Sequence, residues 1–302
     1  MKVLVLGGSG MLGHKLVQRW QGRFDVWTAI RGQFSDYEKY GIFDKYHVIE
    51  RVDAQNFASV NAAIEASSPD VVINAIGIIK QLPSAKNTIT TLEINSIFPH
   101  KLAELAAAPN GEKNFRLITI STDCVFNGRK GNYSENDISD AEDLYGKSKN
   151  LGEVTGRNCL TLRTSIIGRE LETAHSLVEW FLSNRATKEH LVKGFTKAIY
   201  SGFPTIVLAD IIGDVIEKFP ALNGLYHVSS EPVNKFELLG LIDKYYQSDI
   251  QIDPDSDFVL DRSLNSDKFR TETGFAPETW EAMIEKMAAD PTPYDEYREW
   301  RK

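Results

Sequence analysis

The sequence predicts an α/β protein, a doubly wound parallel sheet with a smaller C-terminal substrate-binding lobe. Three observations carry this expectation. Short apolar runs at 3–6, 25–30, 47–52, 70–75 and 116–121 alternate with amphipathic stretches at 11–20, 56–66 and 92–108, which is the rhythm of βαβ units. Several runs are apolar throughout, as strands are when helices cover both faces of a sheet. A glycine-rich turn, Gly7-Gly8-Ser9-Gly10-Met11-Leu12-Gly13, joins the first run to the first helix.

In that turn Gly7 permits a tight bend, Gly10 lets a pyrophosphate approach the backbone, and Gly13 lets helix and strand pack closely. The helix N-terminus behind it offers N–H groups to phosphates. At the first strand-to-helix turn, this pattern reads as a Rossmann-type dinucleotide fingerprint. The second strand, 25–30, runs into Arg31 with no carboxylate at its tip. An NAD site places Asp or Glu about 20 residues past the glycines to hold the ribose 2′-hydroxyl. An arginine there pairs with a 2′-phosphate instead, so NADPH is favoured and NADH stays admissible; a solvated loop arginine is the plainer alternative. Asp53, ending the third strand, is either an adenine contact or a surface turn residue.

After about Gly168 the rhythm loosens. Stretches 176–182 and 234–246 look helical, 205–208 and 225–228 look like strands, and 277–289 looks like a surface helix. The expectation is a dinucleotide-binding domain over 1–168 and a mainly substrate-binding lobe over 169–302, with segments around 205–230 packing back on the first domain.

Composition bounds the function. The chain has 302 residues, 42% of them hydrophobic and 25% charged, the profile of an ordinary globular protein. A net charge of -8 disfavours a nucleic-acid partner, which needs a net basic face. Cys124 and Cys159 are the only cysteines, which suits a reducing cytosol rather than a disulfide framework. The N-terminal apolar run stops after four residues, and no stretch reaches the roughly 18 apolar residues of a membrane span. A cytoplasmic protein with no membrane partner is expected. The six histidines show no metal-ligand spacing, so no metal is proposed.

Tyr145 and Lys149 stand four residues apart on one helix face. Alone the pair means little, but it follows both the glycine turn and Ser121-Thr122-Asp123. Reducing a ketone needs a hydride and a proton for the developing alkoxide. A free tyrosine has a pKa near 10, and a neighbouring ammonium is expected to lower it towards a useful range. The Thr122 hydroxyl would orient the same substrate oxygen. In the plainer reading Thr122 caps a strand end and Lys149 is a solvated helix residue.

These residues resemble the extended short-chain dehydrogenase/reductase superfamily, within it the dTDP-4-dehydrorhamnose reductase-like branch. The similarity runs through Gly7 to Gly13, Val71-Val72-Ile73-Asn74-Ala75, Ile94-Asn95-Ser96 and Ile120-Ser121-Thr122-Asp123-Cys124-Val125-Phe126-Asn127-Gly128. It continues through 144–153, Leu162-Arg163-Thr164-Ser165 and Tyr226-His227-Val228-Ser229. The resemblance implies Tyr145 as proton donor, Lys149 as its electrostatic partner and nicotinamide-ribose ligand, and Thr122 as the substrate-positioning hydroxyl. It also implies Gly10, Met11 and Leu12 at the pyrophosphate and Ala75, Ile76 and Gly77 bordering the cofactor. Asp123 and Ile166 would line the sugar. Asn95 falls on the family's helix asparagine, or is a structural contact.

Two departures matter. Related 4,6-dehydratases carry an Asp-Glu pair after the threonine; Asp123-Cys124 here lacks the elimination base, which disfavours dehydration. The reductase branch usually has tyrosine at the position of Cys124 and tryptophan at that of Ile166, so the sugar pocket differs. The expected substrate is therefore dTDP-4-dehydrorhamnose or a related nucleotide-linked 4-keto-6-deoxyhexose, including acetamido sugars for surface polysaccharides. Lys193, Lys197 and Arg262 are candidates to face its diphosphate. The alternatives are a sugar-nucleotide epimerase with retained NAD and a non-catalytic NADP-binding regulatory subunit. A homodimer is a common outcome for such chains.

If Arg31 reads the 2′-phosphate, Arg31→Ala raises the Michaelis constant for NADPH far more than for NADH. Steady-state kinetics with both dinucleotides check this, and an equal effect on the two removes Arg31 from the role.

Overall fold

The computed structural model describes residues 1–107, 115–186 and 191–297. It opens with β1 (Lys2–Leu6), α1 (Gly13–Trp20), β2 (Asp25–Ala29), the short α2 (Phe34–Tyr37), β3 (Val48–Ile49), α3 (Phe57–Ser67) and β4 (Val71–Asn74). α4 (Thr88–Leu92) leads through a π-helical turn (Glu93–Ile97) into α5 (Phe98–Ala106). Then come β5 (Arg116–Thr122), α6 (Leu144–Leu151), β6 (Cys159–Thr164), β7 (Ile166–Ile167) and α7 (Leu177–Ser183). The C-terminal part holds β8 (Leu191–Tyr200), β9 (Phe203–Pro204), α8 (Thr205–Lys218), β10 (Gly224–His227), β11 (Val233–Asn234), α9 (Lys235–Tyr246), β12 (Gln251–Asp261), α10 (Asp267–Thr273) and α11 (Trp280–Ala288).

Seven strands form the parallel central sheet in the order β10-β6-β5-β4-β1-β2-β3. Alternation along β1 divides the core. Val3 and Val5 face the cluster that contains Leu16, Trp20, Leu208 and Ile212, so α1 and α8 cover that side. Leu4 and Leu6 face Val60, Ile64, Phe98 and Leu102, so α3 and α5 cover the other. Both faces are buried, which explains why these strands are apolar throughout. α1 is fixed to α8 by the Trp20 indole N–H on the Ala209 carbonyl at 2.9 Å and by Arg23 on Asp214 at 2.6 Å.

A three-stranded sheet, β11-β8-β12, forms beside this core. β12 runs parallel to β8 with an irregularity between Asp255 and Val259, and α9 lies against β8. No helix among the described residues is long and apolar enough to cross a membrane.

Several sequence expectations need correction. The run at 205–208 is not a strand but the first turn of α8. Its apolar residues continue as Ile211, Ile212, Val215 and Ile216 at helical spacing, all buried; four β-branched or apolar residues alone do not distinguish the two. The stretch 92–108 is not one helix, because helix starts at Thr88 and a π-helical turn interrupts it; Ala108 lies outside the described residues. The strand expected over 47–52 narrows to Val48–Ile49.

A buried ion pair ties the C-terminal segment to the glycine-turn helix: Lys15, 2% exposed, meets Asp290, 4% exposed. Removing one partner leaves an uncompensated buried charge. Asp290→Ala should therefore lower unfolding stability by about 3–5 kcal/mol, read by chemical denaturation; a loss below about 1 kcal/mol, the value of a surface pair, would assign the pair no structural role.

Candidate active site

The carboxyl ends of the central strands bring the site together. β1 lies between β2 and β4, where the chain's crossovers reverse direction and leave a crevice. The glycine turn sits there: the Gly7 and Gly8 amides donate to the Ala29 carbonyl at 3.1 and 3.0 Å. Gly7 has φ +83°. A Cβ on Gly13 would lie 2.1 Å from the Gly7 oxygen, so only glycine lets α1 start this close to the strand. No side chain caps the N-terminus of α1. An open backbone cradle at an uncapped helix end fits a dinucleotide pyrophosphate.

Ala75 and Ile76 line the other side of that cradle, within 3.0–3.3 Å of where a Gly7 Cβ would be. Gly77 lies beside Lys149 and Asn95, whose Nζ and Oδ1 are 4.0 and 3.4 Å from its ideal Cβ position. Asn95 acts as a clasp. Its Oδ1 accepts from the Ile78 amide at 2.8 Å, and its Nδ2 donates to the Ile78 carbonyl at 3.0 Å and to Ser148 Oγ at 3.1 Å. It is a buried structural residue on the π-helical turn, joining the loop after β4 to α6.

α6 carries Tyr145 and Lys149. Asp143 caps it by accepting from the Gly146 amide at 2.8 Å. Gly146 is the residue that sequence reasoning missed. A Cβ there would lie 2.2 Å from the Cys124 carbonyl oxygen and 2.5 Å from Ala141 Cβ. Its bare backbone lets α6 press on the turn Asp123–Val125 that follows β5. Thr122 and Tyr145 come beside each other across this contact, and the Thr122 hydroxyl acts to lower the phenol's pKa. Thr122 Oγ1 also accepts from the Cys124 amide at 3.1 Å and donates to Asp123 at 3.0 Å. Thr122 and Asp123 are both 8% exposed.

The proton states differ from the sequence expectation. Burial raises the Tyr145 pKa, aided by Cys124 and the Asp123 and Asp143 charges, and the Thr122 hydroxyl only partly opposes this. Lys149 is itself buried, which lowers its pKa to about 8. Its ammonium donates to the Ile120 carbonyl at 2.8 Å. Desolvation therefore keeps the phenol from becoming acidic, and the charges of Cys124, Asp123 and Asp143 push the same way. The phenol is neutral at pH 7, the form a proton donor requires. Burial also raises the Asp123 pKa, against the Thr122 hydrogen bond and the Arg262 charge.

Other predicted residues lie apart from this cluster. Arg31 is exposed beyond β2, with Arg51 nearby, whose amide donates to the Gly32 carbonyl at 3.3 Å. Asp53 closes a local turn by accepting from the Gln55 amide at 3.0 Å. Ile166 pairs with Phe203 in a two-stranded sheet, just after Ser165, which acts to lower the Asp123 pKa. Lys193 is exposed and paired with Asp255 at 2.9 Å, and Lys197 is exposed on the same strand. Arg262 alone of the three candidate cations reaches the site, with Nη1 3.6 Å from Cys124 Sγ.

Known proteins share this architecture. The chain matches the RmlD substrate binding domain family over residues 1–292. The methionine adenosyltransferase 2 subunit beta of Danio rerio is 28% identical over 247 residues, covering 78% of this chain and 71% of the relative. The dTDP-4-dehydrorhamnose reductase of Aggregatibacter actinomycetemcomitans is 29% identical over 244 residues, covering 76% of this chain and 74% of the relative. Among solved structures, the dTDP-4-dehydrorhamnose reductase of Bacillus anthracis in complex with NADP aligns with a TM-score of 0.74 at 21% identity, over 95% of this chain and 98% of that one. That likeness speaks for the fold, and the family match spans both the central sheet and the β11-β8-β12 sheet: the chain belongs to the RmlD substrate-binding-domain family.

Proposed function

We propose that the protein is an oxidoreductase that uses NADPH to reduce the 4-keto group of a nucleotide-activated deoxysugar, dTDP-4-dehydrorhamnose or a related 4-keto-6-deoxyhexose. Supply of surface-polysaccharide precursors in the cytoplasm is the setting this reading implies. The observation that carries it is the half-buried Tyr145 phenol, kept protonated by desolvation, on the helix that the bare backbone of Gly146 lets press on the turn after Thr122. Two hydroxyls that meet in a partly desolvated crevice form a donor pair for one carbonyl oxygen.

In this reading Gly7, Gly10, Met11, Leu12 and Gly13 hold the pyrophosphate, Arg31 and Asp53 serve the adenosine end, and Ala75, Ile76 and Gly77 border the nicotinamide. The nicotinamide supplies the hydride when bound. Thr122 positions the ketone oxygen, and Tyr145 delivers the proton as charge develops there. Lys149 holds the ribose and stabilises the phenolate left behind, while Asp123 and Ile166 line the sugar. A second reading, a regulatory subunit, is favoured by the Danio rerio relative being named as a subunit of another enzyme.

Turnover separates the two. NADPH oxidation with enzymatically prepared dTDP-4-keto sugars should fall by about 10²- to 10⁴-fold in Tyr145→Phe, with NADPH binding retained. Wild-type NADPH binding without turnover of any such sugar would favour the regulatory reading.

Lys149 gives a test with opposite signs. Its folded pKa is depressed, so the fold carries a penalty for the ammonium that is full below pH 8 and fades as pH rises towards its unfolded value near 10.5. Lys149→Met should stabilise the protein at pH 7 by about 2 kcal/mol, after allowing for the lost hydrogen bond, while abolishing turnover. Thermal melts at pH 7 and above pH 10 check this; a variant that is destabilised at pH 7 would contradict it.

A further inference from the structure

Next to the Thr122–Tyr145–Lys149 cluster lies a buried polar group of side chains that the reaction itself does not use. Glu153 follows α6, Arg163 is on β6 and His227 ends β10. Arg163 grips Glu153 with two arms, Nε on Oε1 at 2.7 Å and Nη2 on Oε2 at 2.6 Å. The Arg163 and Glu153 side chains are 5% and 8% exposed. Arg163 Nη1 lies 3.2 Å from His227 Nε2, and His227 Nδ1 lies 2.9 Å from the Tyr133 carbonyl. A guanidinium only donates and a carbonyl only accepts, so His227 is the neutral Nδ1–H tautomer. Burial, with the Arg163 charge, lowers its pKa to about 4.

Replacing a buried ion pair by apolar residues is often neutral or stabilising, so fold stability alone does not account for this one. The pair also reaches the site. Glu153 Oε1 accepts a third hydrogen bond from Ser121 Oγ at 2.6 Å. Ser121 stands between Ile120, whose carbonyl takes the Lys149 ammonium at 2.8 Å, and Thr122. The end of β5 is thus pinned at consecutive residues, once by α6 and once by the segment that follows it. Glu153 is four residues past Lys149, and its charge opposes the effect of burial on that ammonium. The other ionisable groups around this helix are Tyr145 on α6, Asp123 after β5 and Arg163 on β6, and none of them opposes it.

We infer that Glu153, held by Arg163, is a positioning residue for proton transfer: through Ser121 it fixes Thr122 against α6, and it keeps a carboxylate beside the Lys149 ammonium. The inference rests on the reductase reading, which gives Thr122 and Lys149 their roles. Arg163 sets the aim, because a carboxylate gripped at both oxygens keeps one orientation. Ser121 carries that aim to the strand. Without the Glu153 charge the Lys149 pKa falls further, and the ammonium is lost at lower pH.

Lysine labelled with ¹³C at Cε, with the Lys149 resonance assigned by its loss in Lys149→Met, reports this without turnover. The Lys149 midpoint should fall below the wild-type value in Glu153→Gln. It should stay in place in Ser121→Ala, which keeps both buried charges paired. NADPH oxidation with the dTDP-4-keto sugars at pH 7 should fall at least about tenfold in both variants. A folded Glu153→Gln with the wild-type midpoint, or a Ser121→Ala that turns over as wild type, overturns the inference. Should Glu153→Gln not fold, Ser121→Ala decides. A lowered midpoint in Glu153→Gln, with no sugar reduced even by the wild type, would count against the reductase reading alone.

Discussion

The close contact between α6 and the turn after β5 is the constraint on which the rest of the site depends. Residue 146 has no side chain, so the helix approaches the Cys124 carbonyl more closely than any Cβ would permit. That approach sets the half-buried Tyr145 beside the buried Thr122. The clasp of Asn95 on Ile78 and Ser148 fixes the same helix from its other side and draws the loop carrying Gly77 towards Lys149. A bare backbone and a side-chain clasp thus bring the connections after β4 and β5 to one crevice at the sheet's carboxyl edge.

Enclosure then decides protonation. Burial keeps the phenol neutral, disfavours the Lys149 ammonium and raises the Asp123 carboxyl. A neutral tyrosine beside a threonine hydroxyl is arranged to give a proton rather than to take one, which suits ketone reduction. The same desolvation makes the groups costly to the fold, a trade common at functional sites. The buried Lys15–Asp290 pair and the two apolar layers stabilise the scaffold elsewhere.

What the sequence made legible was local. Strands buried on both faces appear as apolar runs, the glycine turn has fixed spacing, and Tyr145 and Lys149 share one helix face. These features led to the fold class and to the Thr122–Tyr145–Lys149 cluster. What stayed hidden depends on distant partners. The role of Gly146 arises from Cys124 and Ala141, and the run at 205–208 becomes helix because its continuation packs on α1. β12 escaped notice because it is largely exposed and rich in aspartate, with Pro254 in its course; its pairing with β8 is what makes it a strand.

The most direct test of this account is the titration of the Tyr145 phenol itself. Tyrosine labelled with ¹³C at Cζ, with the resonance assigned by its loss in Tyr145→Phe, reports ionisation by chemical shift. The account predicts that Tyr145 stays protonated from pH 7 to beyond pH 10 in the protein alone. Ionisation below about pH 8, well under the model tyrosine value, would contradict it and return Lys149 to the dominant role.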